Sequence, residues 1–272
     1  MTLGPLHPTI NPVNNPIKAQ VRRGYSRTWV VERYAVVGLW PSEDELITTF
    51  MPAGARLLDL GCGAGRTTIP LARQSYQVTG ADISFPMVRR AQTQAQHWGL
   101  PTTWSVLDGT DLPFANNSFD GVIFSYNGIE LVPGLEGKKQ VLDEIWRVLE
   151  PGGHFIFTTH AIEALNRYAF GRLKRLASFL ISKALKRDKP ETEIGEVIHS
   201  PERNVEVYYM QIVSPRVYRT LLQDTGYNLV YYNSRRRIDA QKPPGGRLID
   251  FDPDFKFYVA QKPLQDHNAP KG

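Results

Sequence analysis

The sequence predicts an α/β protein built on a parallel sheet with helices on both faces. Two observations lead to this prediction. Short apolar segments alternate with amphipathic segments along the chain, and a glycine-rich loop directly follows the first of the apolar segments, "ARLLDL". Alternating strands and helices produce parallel strands joined by crossover helices. In such a sheet, ligands bind at the carboxyl ends of the strands, where the strand order reverses.

Each element is predicted from its own signals. "PSEDELITTF" (41–50) predicts a helix with Ser42 as its N-cap and Glu45 completing a capping box. "FPMVRRAQTQAQHWG" (85–99) has proline in its first turn and glycine at its end, as helices do. In "KKQVLDEIWRVL" (138–149), apolar residues recur at helical spacing. A further helix is expected at 67–75, and strands are expected at 55–60, 76–82, 102–108, 119–126 and 154–160.

The composition indicates one large domain with an insertion or appendage. The chain has 272 residues, of which 42% are hydrophobic and 22% charged, which is typical of a soluble enzyme. Its one cysteine, Cys62, excludes an intramolecular disulfide framework. No apolar run approaches the roughly 18 residues of a membrane span. Residues 1–22 are rich in proline and lack a continuous apolar stretch, so we expect a flexible arm, no signal peptide and a cytoplasmic protein.

The glycine loop distinguishes two classes of ligand. A dinucleotide fingerprint needs G-x-G-x-x-G, so that a pyrophosphate meets the helix N-terminus. This chain has Gly61, Gly63 and Gly65 at a shorter spacing, and Asp59 precedes them. A carboxylate there is badly placed for a phosphate and well placed for an ammonium group. The loop therefore favours a ligand that carries a cationic amine.

Four sequence blocks together carry a family resemblance. "LLDLGCGAGR", "GADIS", "LDGTDLPFANNSFDGVIF" and "VLEPGGHFIF" occur in order at the expected intervals. They resemble the class I S-adenosylmethionine (SAM)-dependent methyltransferases, specifically their type 11 small-molecule branch, over roughly residues 25–160 and a helix and strands near the C-terminus. The resemblance implies a Rossmann-like sheet of seven mostly parallel strands whose last strand is antiparallel. Segments 227–232 and 255–260 would supply the final two strands.

The resemblance also implies which residues bind SAM. Asp59 would lie near the amino group, and the loop of Gly61, Cys62, Gly63 and Gly65 would surround the amino-acid part. Asp82, with Ile83 beside it, would accept hydrogen bonds from both ribose hydroxyls, since a carboxylate accepts two at once. The adenine amino group would be read by Asp108, next to Gly109, while Ser125 would lie beside the methionine part.

The catalytic residues are less closely defined by the sequence. Methyl transfer needs alignment of donor and acceptor, and a general base helps when the acceptor is a hydroxyl or an acidic carbon. Glu130 and His160 are candidates for that base, although a structural role for either remains open. Tyr25, Tyr126 and Asn127 are candidate substrate or cofactor contacts. The histidines show no zinc spacing, and "DFDPDF" (250–255) lacks the glycine and distant glutamate of a calcium loop, so no metal is expected.

A basic amphipathic segment follows the predicted fifth strand. Residues 161–190 contain eight Lys and Arg against two Asp and Glu, a net charge of +6, with apolar residues at helical spacing. Three interpretations remain open: a lid with a solvated basic face, a surface that rests on anionic lipid and admits a lipophilic substrate, and a nucleic-acid contact. The expected organisation is a flexible arm (1–22), a SAM-binding core (23–160), a helical insertion (161–207), the rest of the core (208–262) and a flexible tail (263–272).

The sequence thus predicts a SAM-dependent methyltransferase acting on the oxygen, nitrogen or carbon of a small molecule. An RNA or protein methyltransferase is the alternative that the basic insertion favours. A SAM-binding protein without turnover is a third reading.

Overall fold

A seven-stranded sheet organises the molecule and confirms the predicted fold class. The computed structural model describes residues 15–200, 205, 207–246 and 248–264. The large sheet has the order β3-β2-β1-β4-β5-β9-β8. Its first five strands pair in parallel, and β9 pairs antiparallel with both β5 and β8. The strands are β1 Arg56–Leu60, β2 Gln77–Asp82, β3 Thr103–Val106, β4 Phe119–Phe124, β5 Leu149–Thr159, β6 Glu196–Ile198, β7 Tyr209–Gln211, β8 Asn228–Ser234 and β9 Lys256–Gln261.

Helices cover both faces of this sheet. They are α1 Pro16–Tyr25, α2 Thr28–Ala35, α3 Pro41–Phe50, α4 Thr68–Arg73, α5 Phe85–His97, α6 Gly134–Val148, α7 Ala169–Ala184, α8 Pro215–Thr225 and α9 Arg235–Asp239. Because side chains alternate along a strand, the fully buried neighbours Leu57 and Leu58 of β1 point to opposite faces. Leu58 joins a core that includes residues of α6 and α8, whereas Leu57 joins one that includes residues of α3 and α4.

The N-terminal region differs from the expectation of a flexible arm. Residues 16–22 belong to α1, whose start is capped by Asn15: its Oδ1 accepts the N–H groups of Ile17 at 2.9 Å and Lys18 at 3.3 Å. Pro16 occupies the first turn, where its missing N–H costs nothing. The high proline content of this region led to the expectation of a flexible arm, although Asn15 followed by Pro16 is typical of the start of a helix. Residues 1–14 lie outside the described part of the chain, as do residues 265–272 of the predicted tail.

Helix α3 is present where predicted, but its cap is different. Pro41 is the first helical residue, so Trp40 takes the cap position, and its N–H donates to Oε2 of Glu43 at 2.8 Å. Ser42 is buried inside the helix and Glu45 is exposed. The predicted capping box was therefore wrong: the cap residue is Trp40 instead of Ser42, and its partner is Glu43 instead of Glu45. Glu43 also forms a buried ion pair with Arg66.

The predicted helical insertion after β5 is confirmed by α7. A small hairpin follows it, in which β6 and β7 form a separate two-stranded sheet. The boundary predicted at residue 207 therefore falls inside one hairpin. Over the described residues, no helix combines the length and apolar character that a bilayer crossing requires.

Candidate active site

A cleft opens where the strand order reverses between β1 and β4, at the carboxyl ends of the strands. The loops after β1, β2, β3 and β4 all contribute to its lining. Among the residues predicted to bind SAM or substrate, those that line it are Gly61, Cys62, Gly63, Asp82, Ile83, Asp108, Gly109, Ser125, Tyr25 and Tyr126. The folded chain thus brings together residues that are far apart in sequence.

The glycines of the loop serve two different purposes. Gly61 and Gly63 line the cleft, and both have positive φ, at 68° and 53°. Gly65 does not line the cleft. A Cβ placed on it would lie 2.9 Å from Cδ1 of Ile69 and 3.1 Å from Cβ of Ala91, closer than packing allows. This glycine therefore permits α4 and α5 to pack close to the loop, and its predicted contact with the ligand is not supported.

Asp82 is held rigidly by the backbone around it. Its Oδ2 accepts the N–H of Gly63 at 2.9 Å, and its Oδ1 accepts the N–H of Ser84 at 2.8 Å. Burial raises the pKa of this carboxyl, and those backbone hydrogen bonds oppose the increase. Each carboxylate oxygen retains a second lone pair. The side chain is therefore fixed in the cleft and able to accept a pair of hydroxyl groups.

Asp108 is already paired with the N-terminal helix. Lys18 of α1 donates from Nζ to Oδ2 of Asp108 at 2.7 Å and to Oγ1 of Thr110 at 2.8 Å. Burial alone would raise the pKa of Asp108, but the hydrogen bonds from Lys18 and Thr110 lower it. Lys18 itself lines the cleft. Sequence reasoning missed it because it was assigned to a flexible arm.

Asp59 does not reach the cleft. Its side chain is 1% exposed and accepts a hydrogen bond from Oγ1 of Thr68, at the start of α4, at 2.6 Å. Burial raises the pKa of Asp59 to about 7, and the bond from Thr68 opposes this. The predicted direct contact with an ammonium group is therefore not supported, because the carboxylate lies behind the loop and ties β1 to α4.

A buried ion pair beside Ser125 was not predicted. Arg66, next to the glycine loop, donates to both carboxylate oxygens of Glu43, at 3.0 and 2.5 Å, and to Oγ of Ser125 at 3.1 Å. Its guanidinium also lies over the rings of Trp40 and Tyr126, 5.1 and 4.9 Å from their centroids. Arg66 lines the cleft, while Glu43 is 2% exposed. The sequence signal was available in both cases, as an arginine directly after the loop and a glutamate three residues after a helix cap.

Strained backbone marks the end of β4. Tyr126 and Asn127 both have positive φ, at 53° and 63°, a conformation that costs non-glycine residues free energy and clusters at functional sites. Tyr126 lines the cleft. Asn127 is only 5% exposed, and its N–H donates to Oγ1 of Thr158 at 2.9 Å. Its predicted contact with substrate is therefore not supported, since the side chain is turned into the protein.

Glu130 and His160 form a hydrogen-bonded pair. Oε2 of Glu130 lies 2.7 Å from Nδ1 of His160, and Oε1 accepts the His160 N–H at 2.7 Å. Glu130 is completely buried, on the short turn Gly128–Leu131, whose end residues line the cleft. With Nδ1 engaged, Nε2 is the ring nitrogen that remains for another partner.

His160 lines a second cavity of about 820 Å³ rather than the cleft itself. This cavity lies between α7, the β6–β7 hairpin and residues 253–255, with apolar walls that include Leu176 and Phe179. The Phe255 ring lies between the two spaces: its centroid lies 4.8 Å from that of His160 and 6.3 Å from that of Tyr126. The predicted base is thus separated from the cleft by one aromatic layer.

Cys62 is a buried free cysteine of the glycine loop. The Cys62 side chain is 1% exposed, and burial raises the pKa of its thiol well above the ordinary value, so it does not have the character of a nucleophile. Across the described ranges, no group of three or more His, Cys, Asp or Glu side chains is placed to hold a metal ion.

Comparison with known proteins shows what the central part of the chain is similar to. A family model described as a methyltransferase domain matches residues 57–153, from β1 into β5. A ubiquinone/menaquinone biosynthesis C-methyltransferase from Desulfotalea psychrophila is 37% identical over 108 residues, which are 39% of this chain and 41% of that protein. Residues 57–153 are therefore similar to a methyltransferase domain. It spans about half the length, or less, of the curated relatives it matches.

Solved structures show that the similarity in fold extends beyond residues 57–153 to most of the chain. A SAM-dependent methyltransferase from Methanosarcina mazei has a TM-score of 0.64 at 23% identity, covering 84% of this chain and 100% of that one. The [4+2]-cyclase SpnF has a TM-score of 0.60 at 17% identity, covering 92% and 98%. At these identities the likeness establishes the fold alone, and function has to be argued from the site.

Proposed function

We propose that this protein transfers a methyl group from SAM to a small-molecule acceptor. The observation that carries the proposal is the convergence of Gly63, Asp82 and Asp108 on one cleft, from the loops after three neighbouring strands. Gly61 and Gly63 would lie along the amino-acid part of SAM, Asp82 would accept the ribose hydroxyls, and Asp108 would face the adenine amino group. Bound SAM supplies a sulfonium-activated methyl group, so the task of the protein is alignment.

We infer that the acceptor binds in the cavity beside His160 and extends its reacting atom past Phe255 into the cleft, because in-line methyl transfer requires contact with the methyl group of SAM. The cavity shares the Phe255 layer with the cleft, and its walls are largely apolar with charges of both signs among the lining residues. Glu130 holds the imidazole through Nδ1, which leaves Nε2 to take a proton from an acceptor hydroxyl or acidic carbon. The Desulfotalea relative is named as a C-methyltransferase of ubiquinone and menaquinone biosynthesis, which supports a small-molecule acceptor.

Turnover with labelled SAM tests this proposal. We expect the purified protein to release S-adenosylhomocysteine (SAH) when a metabolite extract is added, and to transfer label into a small molecule. Replacing both Glu130→Gln and His160→Gln should lower turnover by about 10²–10⁴-fold, the usual contribution of general base catalysis. The affinity for SAH, measured by calorimetry, should not change.

His97→Gln is the matched control, because His97 is exposed at the end of α5 and should leave turnover intact. Unchanged turnover in the double variant would remove the base from the mechanism. Binding of SAH with no release in any extract would favour a SAM-binding protein without turnover. The fold of SpnF, named as a cyclase, shows that this architecture is not confined to proteins named as methyltransferases.

The basic segment supports two further proposals about partners. Residues 161–190 carry a net charge of +6, and we infer that they make peripheral contact with an anionic membrane. An RNA or protein acceptor is the alternative, and label recovered in macromolecules instead of small molecules would favour it. The cytoplasmic location expected from the single cysteine stays a prediction.

A further inference from the structure

Helix α7 presents an apolar face to solvent. Phe170, Leu173, Leu180 and Ile181 are 79%, 63%, 49% and 56% exposed, and Ala177 is exposed between them. These positions are separated by three or four residues, so they lie on one side of the helix. A helix of a globular protein normally buries such a stripe. Here the stripe faces away from the protein.

Apolar side chains are also exposed on the loops near the start of α7. The N–H of Leu165 donates to the carbonyl of Phe251 at 2.9 Å, which places the turn Ile249–Phe251 beside the segment that leads into α7. Leu165 is 68% exposed, Phe251 43% and Leu248 75%. The exposed surface therefore combines one helix and a loop. We call it the α7 face.

Cations border the α7 face. Lys174 and Lys183 of the helix are exposed, as are Lys186 and Arg187 just after it. Residues 169–184 contain no Asp or Glu. An apolar stripe bordered by Lys and Arg is the pattern of helices that lie in the interface of an anionic membrane. A second copy of this chain fits poorly, because pairing the two faces would bring both sets of cations together.

We propose that the α7 face docks on an anionic phospholipid bilayer, with its apolar side chains among the acyl chains and its cations against lipid phosphates. The opposite side of α7 carries Leu176 and Phe179, which line the cavity that contains His160. Docking therefore places that cavity directly behind the helix that contacts lipid. This proposal builds on the inferred membrane contact and not on methyl transfer, so vesicle binding and turnover can fail separately.

Flotation with phospholipid vesicles, without SAM or acceptor, tests the proposal. We expect the full chain to float with vesicles that contain phosphatidylglycerol and to float poorly with pure phosphatidylcholine. Leu173→Glu combined with Leu180→Glu should abolish flotation, because it puts charges into the apolar stripe. Each of Lys174→Gln and Lys183→Gln should weaken binding about fivefold, since one cation near an anionic surface contributes about 1 kcal/mol.

Val230→Glu is the matched control, since Val230 is 43% exposed on β8, outside the α7 face, and should float like the wild type. Circular dichroism and SAH calorimetry establish that the variants are folded. Absence of flotation by the folded wild type would overturn the proposal, as would normal flotation of the double glutamate variant. Equal binding to phosphatidylcholine would overturn the anionic requirement. A dimer in sedimentation velocity that the double variant loses would assign the face to a second copy instead.

Discussion

Three aspartates lie at or near the ends of neighbouring strands, two of them in the cleft and one behind it, and their surroundings shift their pKa values differently. Asp108 is paired with Lys18, which lowers its pKa, whereas Asp82 is held by backbone N–H groups in a buried position that raises its pKa. Asp59 is buried without a basic side chain in hydrogen-bond contact, and its pKa rises to about 7. Aspartate thus serves as an ion-pair partner at Asp108, as a fixed hydrogen-bond acceptor at Asp82 and as a buried structural group at Asp59.

Asp59 should make folding stability depend on pH. An unfolded aspartate ionises near pH 3.9, so between about pH 4 and 7 the folded protein keeps a proton that the unfolded chain has released. The free energy of unfolding should therefore fall as pH rises through this window. Asp59→Asn keeps an acceptor for Thr68 and removes that dependence, so the variant should gain stability relative to the wild type, by at most about 4 kcal/mol at pH 8.

Denaturant unfolding of both proteins at pH 5 and pH 8 measures this gain. Asp224→Asn, at an exposed position of α8, is the control and should change little between the two pH values. If the free energy of unfolding differs between the wild type and Asp59→Asn by the same amount at both pH values, burial does not hold the proton on Asp59.

At the scale of elements, α1 lines one end of the cleft and is tied to it by the ion pair between Lys18 and Asp108. Lys18 and Asp108 are 15% and 21% exposed, so the pair is partly shielded from water. A ligand amino group that binds Oδ2 of Asp108 has to share this oxygen with the ammonium group of Lys18 or displace it. Cofactor entry is therefore coupled to the position of α1.

Lys18→Met should tighten the binding of SAH by about two- to tenfold, because it removes a competitor for Asp108 and leaves the carboxylate in need of a donor. Calorimetry with SAH measures the change. Arg23→Met, on the exposed side of the same helix, should bind as the wild type does. Weaker binding in Lys18→Met would mean instead that Lys18 contacts the ligand itself.

The sequence predicted those elements whose signals are local. The order of strands and helices from β1 to β5 follows from apolar runs and their glycine and proline boundaries. Local signals of the same kind, Ser214 and Gly226, lie at the two ends of α8. The β6–β7 hairpin was missed because each strand has three residues, too few to show alternation. Side-chain partners were harder to predict: the pairing of Lys18 with Asp108 and of Arg66 with Glu43 depends on how distant elements pack.

At the scale of the whole molecule, cofactor binding should stabilise the native state. A ligand that binds only the folded protein adds about 2.7 kcal/mol at a concentration of 100 times Kd. For a protein of this size, that corresponds to an increase in Tm of about 5–10 °C. We expect this increase with SAH and none with NAD at the same concentration, measured by thermal unfolding. A shift with NAD alone would indicate a dinucleotide site.

The position of β9 has a consequence for biosynthesis. This strand follows β8 in the chain, yet it lies between β5 and β8 in the sheet. Until β9 has left the ribosome, the five parallel strands of the sheet end in an unpaired edge at β5. Strand β8 then has no neighbouring strand to pair with. Phe255, which separates the cleft from the cavity, arrives with the same stretch. The cleft and the cavity therefore become distinct only after this stretch has been synthesised, and until then a chaperone has an open strand edge to protect.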